Sequence, residues 1–261
     1  MMGSMRAALV QLESALDSAA NRESISARLR QVDPGTDLVV LPEAAMHDFG
    51  TADHDLAAAA EPIDGPFVAM LSAEARRLGS TIVAGMFEEM RGGLPFNTLV
   101  AIGPDGALRA RYRKVHLYDS FGYRESERLA PGEIMPAVFD VAGAGVGLMT
   151  CYDLRFPEMA RLVVDAGAEL LVIPAAWVAG DDKLHHWRTL SAARAIENTA
   201  FVLAAAQGGS RYTGHSAVID PRGRVLAEAG AGDETLVTEL DPDTVTAVRE
   251  VNPSLANRRI R

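Results

Sequence analysis

Val146-Gly147-Leu148-Met149-Thr150-Cys151-Tyr152-Asp153-Leu154-Arg155-Phe156-Pro157-Glu158 is the stretch from which the fold is best read. An apolar run ends on the only cysteine of the 261-residue chain, and Pro157 stands where a proline opens a helix at its first position. The reading is a strand that delivers a thiol to a sharp turn before a helix. A thiol near a helix N-terminus is expected to have its thiolate favoured by the macrodipole, so Cys151 is a candidate nucleophile.

Working outward, apolar runs of strand type occur at 6–12, 37–43, 80–88, 97–103, 146–151, 169–175, 201–207, 214–220 and 235–240. Helical periodicity falls between them, at 19–31, 66–78, 157–166, 185–199 and 243–250. Gly79 and Gly167 are placed to close the second and third helices. Gly103-Pro104-Asp105-Gly106 and Asp220-Pro221-Arg222-Gly223 have the composition of tight turns between adjacent strands. Some pairings must then be antiparallel, and an α/β fold with a mixed sheet is predicted. No linker, repeat or charge block divides the chain, so 5–261 is read as one domain, with 1–4 a remnant ahead of a natural start at Met5.

The chain is 48% hydrophobic and 23% charged, enough for a sizeable core. A formal net charge of −10 disfavours nucleic acid or an anionic membrane as partner and points to a small molecule. One cysteine allows no internal disulfide and no cysteine-rich zinc site, and no secretory h-region opens the sequence. The expectation is a cytoplasmic protein with its thiol free.

A thiol that attacks a carbonyl needs a base, and histidine is the usual one. None of the six histidines has a feature that pairs it with Cys151. A carboxylate is better placed: the apolar run 37–41 ends at Pro42 and Glu43, at a strand's C-terminal mouth where α/β folds build sites. Lys114, inside the strand-like stretch from Arg111 to Asp119, is suited to hold developing negative charge.

In combination these segments resemble the nitrilase, or carbon–nitrogen hydrolase, superfamily. Leu41-Pro42-Glu43 resembles its glutamate motif, Tyr112-Arg113-Lys114-Val115-His116-Leu117 its lysine motif, and Thr150 to Glu158 its cysteine motif. Glu125, in Arg124-Glu125-Ser126, resembles the second glutamate that members carry between lysine and cysteine. The resemblance implies a four-layer α-β-β-α sandwich of two mixed sheets, assembled as a homodimer or higher homo-oligomer, with no cofactor and no metal. It also implies roles: Glu43 as general base, Cys151 as nucleophile, Lys114 and the Tyr152 backbone N–H on the oxyanion, and Glu125 positioning Lys114.

The wording of the cysteine motif is similar to the amidase branch that cleaves ω-amides and deaminated glutathione. A nitrile or an N-carbamoyl amine is the alternative substrate, and a non-catalytic binding protein the alternative class. An ω-amide carries a carboxylate, so cations or donors are expected at the mouth; Tyr118, Arg124, Trp177 and His186 are the first choices, with Lys183, His185, Arg211 and Tyr212 beside them. The loop from Trp177 to Trp187 departs from the wording of ω-amidase relatives. Arg155 is read as pairing with a buried acid, and Asp153 as a structural cap. A serine hydrolase built on Gly214-His215-Ser216 lacks the closing glycine of a nucleophile elbow.

Overall fold

The computed structural model describes residues 4–260. The proposed N-terminal remnant therefore lies, apart from Ser4, outside the described residues. In chain order the first half runs β1 (Met5–Gln11), α1 (Ser18–Leu29), β2 (Leu38–Val40), α2 (Leu56–Ala59), α3 (Pro66–Leu78), β3 (Thr81–Glu88), β4 (Phe96–Ile102) and β5 (Leu108–Arg113). A short hairpin of β6 (Asp119–Ser120) and β7 (Tyr123–Arg124) leads to β8 (Val138–Val141), β9 (Ala144–Leu148), α4 (Pro157–Asp165) and β10 (Leu170–Ala175). The chain ends with α5 (Lys183–Asn198), β11 (Phe201–Ala206), β12 (Ala217–Ile219), β13 (Val225–Glu228), β14 (Glu234–Leu240) and α6 (Asp243–Val251).

Two six-stranded sheets form, in the orders β14-β1-β2-β3-β4-β5 and β13-β12-β11-β10-β9-β8. Both are mixed: β1, β2 and β3 are parallel, as are β9, β10 and β11, while the flanking pairs are antiparallel. Alternation along β1 explains the layering. Met5, Ala7 and Leu9 join a core shared with Val146 and Leu148 of the second sheet, whereas Ala8 and Val10 meet Ile25 and Leu29 of α1 and Phe67 and Leu71 of α3. Strands covered on both faces read as unbroken apolar runs, as the sequence shows. Helices α4 and α5 contact the second sheet, which completes the α-β-β-α order.

All five predicted helices form, with bounds shifted by at most two residues. Gly79 caps α3 at φ 69°, and Gly167 follows α4 at φ 105°. Both predicted turns join antiparallel neighbours, β4 to β5 and β12 to β13. The run 37–43 gives only Leu38–Val40, because beyond Leu41 the chain turns at Pro42, which has no N–H for a ladder. The run 214–220 is likewise cut to Ala217–Ile219, since Gly214 and His215 take positive φ. β8 and the β6–β7 hairpin have no strong apolar run and escape the sequence reading.

Candidate active site

Glu43, Lys114 and Cys151 each stand just past the C-terminal end of a strand, on β2, β5 and β9, and Glu125 opens a 3-10 turn after β7. Two of those strands belong to one sheet and β9 to the other, so the site exists only where the sheets pack. Gly85 on β3 lets the glutamate segment in: a Cβ there would lie 2.6 Å from the Ala44 nitrogen and the Glu43 Cα. Lys114 follows an edge strand, where an exposed lysine is the common finding, yet it is 2% exposed.

The four groups form one buried cluster. Lys114 Nζ donates to Glu43 Oε1 at 2.9 Å and to Glu125 Oε2 at 2.9 Å and Oε1 at 3.1 Å. Burial disfavours the ammonium, but the Glu125 and Glu43 carboxylates outweigh it and hold Lys114 well above the ordinary lysine range. Glu43 Oε2 accepts from the Ala176 N–H at 2.6 Å, and Glu125 Oε2 from the Tyr118 N–H at 2.6 Å. Across the sheets, Gln207 Nε2 donates to the Glu43 carbonyl at 3.0 Å.

Asn97, on β4, belongs to a segment that the family resemblance covers but to which the sequence reading assigned no role in the site. Its Nδ2 donates to Glu43 Oε1 at 2.6 Å and to Glu125 Oε1 at 3.2 Å, bridging both carboxylates. One asparagine inside an apolar strand was the available signal.

Cys151 starts a 3-10 turn (Cys151–Arg155) at φ 46°, a strained value for a residue with a side chain. The expected help from a helix dipole is overturned. Burial first, and the Glu43 carboxylate second, push the thiol well above the ordinary cysteine range, so it waits protonated beside a base. Asp153 has a structural role: its carboxylate accepts from the Thr150 N–H at 2.9 Å, from Tyr112 Oη at 2.6 Å and from His116 Nδ1 at 2.7 Å. Tyr112 and His116 flank Lys114 by two residues on either side, so Asp153 ties the lysine segment to the cysteine turn.

A cavity of about 460 Å³ opens onto Cys151, and Tyr118 and Trp177 are among the residues that line it. Arg124 is not. On β7 the side chains alternate, Tyr123 faces the cavity, and Arg124 points outward to pair with Glu127 at 3.2 Å. His186 also stands outside the lining, with its Nδ1 3.4 Å from an Arg155 nitrogen, so it backs Arg155 instead of meeting substrate. Arg155 is corrected in turn: no carboxylate pairs with it among the described residues, and its guanidinium lies over Trp177 at 4.9 Å and lines the cavity. Lys183 lines it too, while Arg211 is engaged by Asp48. Ser216 of the serine-hydrolase alternative is fully buried and donates to Gln11 Oε1 at 2.8 Å, a packing role.

Comparison with known proteins gives the family of the chain. The carbon–nitrogen hydrolase family model matches residues 6–250. Deaminated glutathione amidase of Escherichia coli O157:H7 is 42% identical over 85% of this chain and 84% of its own. Omega-amidase NIT2 of Mus musculus is 32% identical over 99% of this chain and 96% of its own. Among solved structures, XC1258 from Xanthomonas campestris, a CN-hydrolase superfamily protein with an arsenic adduct in its active site, superposes with TM-score 0.90 at 32% identity, covering 100% of this chain and 99% of that one. With the motifs of glutamate, lysine and cysteine gathered in one cavity of the matching fold, this chain belongs to the carbon–nitrogen hydrolase family.

Proposed function

We propose that this protein is a thiol amidohydrolase that cleaves the C–N bond of a small carboxylate-bearing amide, with residues 5–261 acting as one catalytic unit. The observation that carries the reading is the Lys114 ammonium shared between Glu43 and Glu125 in the cavity that holds Cys151. Glu43, the base, takes the proton of the Cys151 thiol as sulfur attacks the amide carbonyl carbon. The carbonyl electrons move to oxygen. Lys114 engages all three of its donors with the two glutamates, and the one on its longest contact, to Glu125 Oε1 at 3.1 Å, turns to that oxyanion while Glu125 Oε2 keeps its bond. The Tyr152 N–H, at the open start of the 3-10 turn, supplies a second donor; one such contact is typically worth ~3 kcal/mol. Collapse breaks the C–N bond, and Glu43 returns its proton to the leaving amine, which is ammonia when the amide is primary. Water, activated by the same carboxylate, then hydrolyses the thioester to acid and free thiol. Glu125 and Asn97 keep Lys114 and Glu43 in register.

An amide is preferred to a nitrile or an N-carbamoyl amine because the cysteine motif and the amidase relatives agree. A carboxylate on the substrate is supported by two cations in the cavity, Arg155 and Lys183, that no acid neutralises among the described residues. A free nucleophilic thiol suits the reducing cytoplasm. Exposed Ile196 on α5 and Val225 and Leu226 on edge strand β13 suit a homodimer or higher homo-oligomer. The test is amine release from a panel of ω-amides, aliphatic amides, nitriles and N-carbamoyl compounds. Cys151→Ala is expected to abolish turnover with the fold intact; residual amidase activity in that variant would overturn the mechanism.

A further inference from the structure

Lys183 stands at a helix start that disfavours positive charge, although Asp181 and Asp182 precede it. It opens α5, where the helix end already favours negative charge and no acidic residue sits in the first turn. The loop before it bends sharply to hold it there, with Gly180 at φ 154° and Asp182 left-handed at φ 59°. The Trp177 indole N–H fixes its carbonyl at 2.9 Å. The side chain then turns into the cavity, where Nζ lies 3.8 Å from the centre of the Phe121 ring and donates to Tyr118 Oη at 3.0 Å. Phe121 holds this contact from the tip of the β6–β7 hairpin, itself at positive φ and 73% exposed. Aromatic faces and one hydroxyl solvate the ammonium in place of a carboxylate, leaving two donors unspent. Burial first, and then the facing charge of Arg155, lower its pKa from the ordinary lysine value.

Resting on the amidase reading above, we propose that Lys183 is a specificity-determining residue: poised between Tyr118 and Phe121, it binds the carboxylate of the amide substrate and, with Arg155, selects charged amides over neutral ones of the same length. A carboxylate entering beside Cys151 gives the ammonium the acidic partner that the protein withholds, and relieves its repulsion with Arg155.

The experiment compares a five-carbon ω-amide bearing a terminal carboxylate with the neutral aliphatic amide of equal length, in wild type, Lys183→Met and Lys183→Arg. A charge-assisted contact of this kind predicts that Lys183→Met lowers the ratio of kcat/KM, charged over neutral, by about tenfold or more, with the loss in KM. Lys183→Arg should recover most of it. In the Cys151→Ala background, calorimetric binding of glutarate should weaken by a similar factor on adding Lys183→Met. An unchanged ratio, a loss on kcat that is equal for both amides, or unaltered glutarate binding would each overturn the proposal. Those outcomes leave amide hydrolysis itself standing, whereas a wild type that releases amine from no amide would overturn the amidase reading and this inference with it.

Discussion

At the scale of single residues, the chemistry of Cys151 follows from who its neighbours are, not from where it sits on a helix. Its cap-like sequence context suggested a dipole-activated thiolate; what the sequence could not convey is that Glu43 arrives from the other sheet, 108 positions earlier in numbering, to oppose that ionisation. Glu43 was legible because a carboxylate ends an apolar run, and Lys114 because it sits inside a strand-like stretch, whereas Glu125 was legible only through the family resemblance. Arg155 was misread because its surroundings are a tryptophan and a cavity, which no local pattern encodes. The raised thiol pKa has a measurable sign. Below its pKa the thiolate fraction grows about tenfold per pH unit, so the rate of Cys151 alkylation by a small reagent should climb steadily from pH 6 to 9. A rate that levels off below about pH 8 would mean a preformed thiolate, and would contradict the arrangement of base and thiol described here.

At the scale of elements, α3 and α4 were read to within a residue because each has a start and a stop written into it, Pro66 and Pro157 at the first position and Gly79 and Gly167 just past the end, whereas the four-residue α2 is too short to show a period. Strand ends were less legible, since Pro42 and the positive-φ pair Gly214 and His215 end ladders that hydropathy alone would continue. The approach of β3 to the glutamate turn depends on Gly85, whose missing side chain is replaced by backbone atoms of residues 42–44. The three atoms nearest an added Cβ there are all backbone, so the turn, not a side chain, must yield. Gly85→Ala should therefore displace Glu43, and a shift near 1 Å from productive geometry costs about a hundredfold in rate. Steady-state kinetics should show the loss mainly in kcat, with a folded protein by circular dichroism; wild-type kcat in that variant would show that the turn tolerates the methyl group.

At the scale of the whole molecule, the two-sheet sandwich is the condition for having a site at all. Base and lysine come from one sheet, nucleophile from the other, and Gln207 and Asp153 stitch the two together beside the cluster. The layering itself was legible only through resemblance, because an unbroken apolar run records that both faces of a strand are covered but not by what. Leu9 shows the distinction: it lies in the core between the sheets, while Ala8 and Val10 on either side belong to the helix-facing core. Leu9→Ala removes packing from the seam without touching the cavity. A buried Leu→Ala change costs about 2–5 kcal/mol, which for a chain of this size lowers Tm by about 5–15 °C. Turnover at 25 °C should stay within about twofold of wild type. Since the site is assembled by the seam, amidase activity and far-UV circular dichroism should be lost together in denaturant, at one midpoint lower than that of the wild type. Activity that disappears well before the circular dichroism change would mean that the site can come apart while both sheets persist, and that the seam is not what holds Glu43 against Cys151.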